Sequence, residues 1–166
     1  MKLKGLLSAG LALLISLSVA TADAKILVDL AKQQGHTACL STIEMLHDFI
    51  GNNYGARVLS ATENPNSQPI SYFIEQNFSD GDVQYNMTIT PTADGYCTFE
   101  YTRTWSERKS CIAWANQQQD YKYVDSVNRN VSAFETDGGL KLFASNLPDG
   151  SCLLIKKEIG LRHNKR

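Results

Sequence analysis

Between residues 70 and 102, apolar and polar side chains alternate in a phase that survives two turns, the pattern of an antiparallel sheet with one dry and one wet face. Ile70, Tyr72, Ile74 and Phe78 share one face with Val83, Tyr85, Met87, Ile89, Cys97, Phe99 and Tyr101. Glu75, Asn77, Gln84, Asn86, Thr88, Thr98, Glu100 and Thr102 share the other. Ser79-Asp80-Gly81-Asp82 and Pro91-Thr92-Ala93-Asp94-Gly95 separate the runs and carry the residue types that tight turns favour. The expectation is a meander of strands over 56–62, 70–78, 83–90 and 96–105.

A dry sheet face needs a cover, and a helical stripe stands upstream to supply it. Cys39, Ile43, Leu46 and Ile50 recur at helical spacing within Thr37–Ile50, with Thr37 as the expected N-cap and Gly51-Asn52-Asn53-Tyr54-Gly55 as the stop. Ser106–Gln119 reads as a second helix capped by Ser106, turning Cys111, Trp114 and Ala115 inward. Residues 121–130 fit strand and loop equally well. Strands are expected over 131–136, 140–145 and 152–159, joined at Asp137-Gly138-Gly139 and Leu147-Pro148-Asp149-Gly150. The fold class is α+β: an N-terminal helix packed on a mainly antiparallel β-meander, with a second helix and a C-terminal β-hairpin region.

The chain begins with Lys2 and Lys4, an apolar run from Gly5 to Ala20, and Ala22-Asp23-Ala24, the layout of a cleavable export signal. The run is short of the ~20 apolar residues that cross a bilayer, and no later stretch is long enough to do so. Residues 1–24 are therefore expected to be a signal peptide, 25–155 a single disulfide-bonded globular domain, and 156–166 the end of the last strand with a basic tail. The expected location is periplasmic or secreted. Without Lys2, Lys4 and Asp23, the 16 basic and 17 acidic residues become 14 and 16. Near-neutrality argues against a nucleic-acid partner. The basic residues concentrate in Lys156, Lys157, Arg162, Lys165 and Arg166, which read as a solvated terminus in preference to a contact with an anionic surface.

The four cysteines, Cys39, Cys97, Cys111 and Cys152, all follow the export signal and contain no C-x-x-C pair, so two disulfides are expected rather than zinc or a redox motif. An up-and-down course from the helix through four strands brings Cys39 and Cys97 to the same end of the sheet. Cys97 and Cys111 are separated by a strand and part of a helix, which leaves Cys111 to pair with Cys152.

Groups for catalysis are scarce. The chain has three histidines, His36, His47 and His163, and lacks a nucleophile elbow or a glycine-rich phosphate loop. Glu44 and His47 stand three apart on a helix and could meet one metal, but a solvated helix face explains them as well; no metal or other cofactor is expected. Glu75 and Glu100, on the wet face, are the one carboxylate pair that a glycosidase could use. Phe73, Glu75, Gln84, Asn86, Tyr96 and Glu100 together make that face a candidate binding surface, since exposed aromatics among amide side chains suit recognition. Trp105, Trp114, Tyr121 and Tyr123 fit either a small core or such a surface. Asn77, Asn86 and Asn130 begin glycosylation sequons. The expected function is a non-catalytic binding, inhibitor or accessory module whose partner is another envelope or extracellular protein. A small glycan or cell-wall hydrolase and a carrier of a small apolar ligand are the alternatives.

Overall fold

The computed structural model describes residues 25–60, 63–79 and 81–163. The expected signal peptide, Ala61 and Thr62 of the first strand, Asp80 of the first turn and the terminal Lys165 and Arg166 lie outside them. The class is α+β: among the described residues there are three α-helices, one short 3-10 turn and eight strands in one antiparallel sheet. The helices are α1 (Ile26–Gln33), α2 (Leu40–Ile50) and α3 (Cys111–Ala115). The strands are β1 (Gly55–Ser60), β2 (Ile70–Phe78), β3 (Gly81–Pro91), β4 (Tyr96–Glu107), β5 (Lys122–Asn128), β6 (Val131–Glu135), β7 (Lys141–Asn146) and β8 (Cys152–His163). Their order in the sheet is β1-β2-β3-β4-β8-β7-β6-β5.

The alternation of 70–102 becomes a continuous β2–β3–β4 meander with Ile70 opposite Ile89, Tyr72 opposite Met87 and Ile89 opposite Phe99. The C-terminal strands pair as successive antiparallel hairpins, β5–β6, β6–β7 and β7–β8. β8 returns alongside β4 over the whole length of both, Tyr96 opposite His163 and Glu107 opposite Cys152, and so fuses the two halves into one sheet. Residues 156–163 thus belong to the sheet instead of fraying. Lys157 pairs with Glu100, and Lys156 lies 3.6 Å from Glu158.

Two apolar clusters flank this central pair. The larger unites Leu27, Val28 and Ala31 of α1 and Ile43, Leu46 and Ile50 of α2 with the inward residues of β2, β3 and β4. Ile43 and Ile74 are wholly buried, and removing each such side chain from water is worth about 1.5–3 kcal/mol. The smaller gathers Cys111 and Trp114 of α3 against Phe134, Leu142, Ala144, Cys152 and Leu154. Trp105 packs against both. Cys39 is bridged to Cys97 and Cys111 to Cys152, one disulfide in each cluster.

Several boundaries differ from expectation for local reasons. α2 begins at Leu40, because Asn66 accepts from the backbone N–H groups of Thr37 and Ala38 through its Oδ1 and so holds that stretch outside the helix. α1 was not foreseen at all. The second helix shrinks to five residues because β4 continues to Glu107, and Ser110 rather than Ser106 caps it by accepting from the Ala113 N–H at 3.3 Å. Residues 122–128 form the edge strand β5, exposed along its length and interrupted by two register shifts against β6. Phe78 keeps the dry-face phase but is half exposed, at the end of β2 beyond the helical cover. Gln76 is instead buried and donates to the Ile50 carbonyl at 3.0 Å, closing the C-terminus of α2.

Candidate functional site

On the face opposite the two clusters, strand register sets the expected binding residues out in rows. One row runs Leu59, Ser71, Thr88, Glu100, Ile159 across β1, β2, β3, β4 and β8. The next runs Arg57, Phe73, Asn86, Thr102, Lys157 over the same strands. A third runs Glu75, Gln84, Thr104, Ile155, Phe143 from β2 to β7. Phe73 and Asn86 are thus direct neighbours, and a shallow depression of about 260 Å³ forms around them with Leu59 and Glu100 on its rim. Tyr96 stands apart at the far end of β4, its ring edge-on to His163 at 4.8 Å.

The glycosidase pair is spread wide on this map. Glu75 and Glu100 are two strands and two rows apart, which at about 4.8 Å per strand and 3.3 Å per residue separates their backbones by roughly 16 Å. Carboxylates in glycosidases stand ~5–10 Å apart. Glu100 is also engaged by Lys157. The Glu44 and His47 pair diverges as well. Glu44 binds Lys25, which holds its carboxyl below the usual carboxylate range. His47 turns into the core, is 5% exposed, and shares a 2.6 Å hydrogen bond with the Tyr54 hydroxyl through Nδ1. It is a core histidine, not part of a solvated face. Among the described residues no three His, Cys, Asp or Glu side chains converge as a metal would need.

The aromatics after the meander divide between core and surface. Trp114 is buried against Tyr121 and Phe134. Tyr123 is 59% exposed on β5 and packs edge-on against Phe134.

The helix-bearing face holds an arrangement that sequence reasoning missed. Tyr101, Arg103 and Trp105 follow one another in the dry phase of β4, opposite Glu158, Lys156 and Leu154 of β8. The Arg103 guanidinium lies 4.7 Å from the centre of the Trp105 ring and 5.8 Å from that of Tyr85. Tyr101 donates its hydroxyl to Glu158; burial first, and then this hydrogen bond and the charge of Glu158, push its pKa up. At the end of this row a cavity of about 460 Å³ opens, walled by Phe78, Val83, Trp105 and Arg103 and rimmed by Arg108 and Lys109. The legible signal was the phase itself. A charged residue between Tyr101 and Trp105 in a dry register has to answer to something.

Neither a protein-family model, nor a curated protein, nor a solved structure matches this chain. The functional reading therefore stands on the geometry above.

Proposed function

We propose that this is an exported, non-catalytic module that binds another protein of the envelope or extracellular space through the open face of its sheet. One observation carries the reading: among the described residues no layer covers that face, and it presents Leu59 at 73% exposure near Phe73 on one side and Ile159 and Leu161 at 71% and 64% on the other. Between these apolar flanks lies a tract of Ser71, Asn86, Thr88, Thr98 and Thr102, neutral side chains that lose little on desolvation when a partner supplies hydrogen bonds. Large apolar residues rimmed by polar ones characterise protein interaction surfaces. The two disulfides suit an oxidising compartment outside the cytoplasm.

The test is affinity capture from an envelope or extracellular extract of the host, with three baits: the unmodified protein, Leu59→Asp and Ile159→Asp. Both substituted positions are exposed, so neither variant should lose its fold. The reading expects a partner retained by the first bait and lost from at least one of the others. A partner retained equally by all three would place binding elsewhere.

A further inference from the structure

We propose that the cavity beside Arg103 is a receptor for a carboxylate carried on an apolar body, with the Arg103 guanidinium taking the carboxylate and Phe78, Val83 and Trp105 holding the body. The site lies on the opposite face of the sheet from the protein-binding surface, and it does not depend on that reading.

Arg103 is already oriented. Its guanidinium is held over the Trp105 and Tyr85 rings, 4.7 and 5.8 Å from their centres, and its donors form a rigid fork that matches a carboxylate in two parallel hydrogen bonds. It is also unmatched. Among the described residues no carboxylate lies within ion-pair distance of Arg103, and its Nε is shielded from solvent without an acceptor. Lys156, directly opposite on β8, is 3.6 Å from Glu158, so the nearest acid on that strand is already engaged by another cation. A half-buried guanidinium with no acid of its own and a shielded, unsatisfied Nε leaves donors open to an incoming anion.

The cavity selects what kind of anion. Its rim adds Arg108 and Lys109, against the acids Asp82 and Glu107, of which Glu107 lies 3.9 Å from Lys109. Three cations facing two acids leave an excess of positive charge. A bare phosphate would satisfy that charge, but Phe78, Val83 and the Trp105 ring would then bound empty apolar space. A volume of about 460 Å³ lies within the ~300–1,000 Å³ of small-molecule sites, which accommodates an aromatic or branched body behind the carboxylate. The carboxylate can belong to a free organic acid or to the C-terminus of a peptide ending in an apolar residue, and both present the same chemistry to Arg103.

The probes are phenylacetate, phenylacetamide, inorganic phosphate, and a pair of tripeptides ending in phenylalanine as acid or amide. Each is titrated into the full domain while the NMR shifts of the Trp105 indole N–H and its neighbours are followed. Phenylacetate should saturate, and phenylacetamide should bind at least about tenfold more weakly, since hydrogen bonds to a charged partner contribute ~1.5–3 kcal/mol. The peptide acid binding more tightly than phenylacetate identifies a chain terminus as the source, and the reverse order identifies a free acid. Arg103→Lys keeps the charge and loses the fork, so it should weaken binding by a similar factor. Phe78→Ala, at a half-exposed position, should weaken it with the fold intact. Equal binding of acid and amide, no saturation by either acid, or phosphate binding as tightly as phenylacetate would each overturn the proposal. Should Arg103→Lys fail to fold, the acid–amide comparison and Phe78→Ala still decide.

Discussion

Gly160 sits opposite Phe99 in the β4–β8 ladder, and the Phe99 ring lies across it where a side chain would otherwise stand. A Cβ built on Gly160 falls 2.6 Å from Cε1 and 3.0 Å from Cε2 of Phe99, and closer still to Cζ. Gly160→Ala must therefore displace the ring, which packs against the larger cluster. Overpacking of this kind costs about 1–3 kcal/mol. Alanine in a strand recovers about 0.5–1 kcal/mol over glycine through the lower entropy of the unfolded chain. The net expectation is destabilisation by roughly 1–2 kcal/mol, read as a lower urea midpoint with an unchanged slope. The decisive measurement is the same substitution made on Phe99→Ala. With the ring gone only the entropic gain remains, so Gly160→Ala should there be stabilising, and the two effects should differ by about 2 kcal/mol. An effect of the same sign in both backgrounds would show that the ring does not depend on the glycine.

Other expectations follow from the same packing. Digestion of unreduced protein should release one peptide pair joined through Cys39 and Cys97 and another through Cys111 and Cys152, and a Cys97–Cys111 peptide would contradict the fold. Loops of 58 and 41 residues assign each bridge up to about 4 kcal/mol in the chain-entropy account, so losing either should lower the urea midpoint markedly. His47→Ala removes one of the two partners of the buried Tyr54 hydroxyl, leaving the Leu27 backbone, and should cost about 1–3 kcal/mol, whereas Glu75→Gln, on the exposed face, should leave stability unchanged within about 0.5 kcal/mol. Burial raises the Tyr54 pKa to about 12, against roughly 10 in an unfolded chain. The unfolded chain then sheds a proton that the folded one keeps, so this contribution is complete below pH 10 and is lost as the pH rises to 12. Tyr72 and Tyr101 act in the same direction, and denaturant midpoints measured across that range should fall steadily.

The parts of the fold most legible in the sequence are those where one face is dry and the other wet. In 70–102 every second residue from Ile70 to Gln76 and from Val83 to Ile89 is buried, so the alternation could be read directly. The Cys39–Cys97 pairing followed from strand direction, and the Cys111–Cys152 pairing by elimination. β5 was undecidable because Lys122–Asn128 is exposed along its length and its bulges break the period. α1 is an eight-residue helix without a side-chain cap, and nothing in its short stripe of Leu27, Val28 and Ala31 announced where it begins. The wet face was identified correctly as a face, but the distance between Glu75 and Glu100 depends on register, which alternation does not encode. Arg103 was overlooked because the alternation was followed for its apolar members. Its partners Tyr85 and Lys156 come from strands 18 residues before it and 53 after it.

The two disulfides close successive loops, Cys39 to Cys97 and then Cys111 to Cys152, so each cysteine is bonded to the next one along the chain in its pair and no loop encloses part of another. For a chain that crosses a membrane N-terminus first, order of emergence becomes order of oxidation. On the export route proposed above, Cys39 would meet Cys97 before Cys111 appeared, and Cys111 and Cys152 would then have only each other. An oxidant that joins thiols as they arrive therefore makes the native pairing without a reshuffling step, and an isomerase has nothing to correct. The sheet ladder does not share this vectorial order. β4, which begins beside Cys97, has to wait for β8, the last strand of all, before its second edge is paired. During that interval the Cys39–Cys97 bond, rather than the completed sheet, would hold the N-terminal half closed.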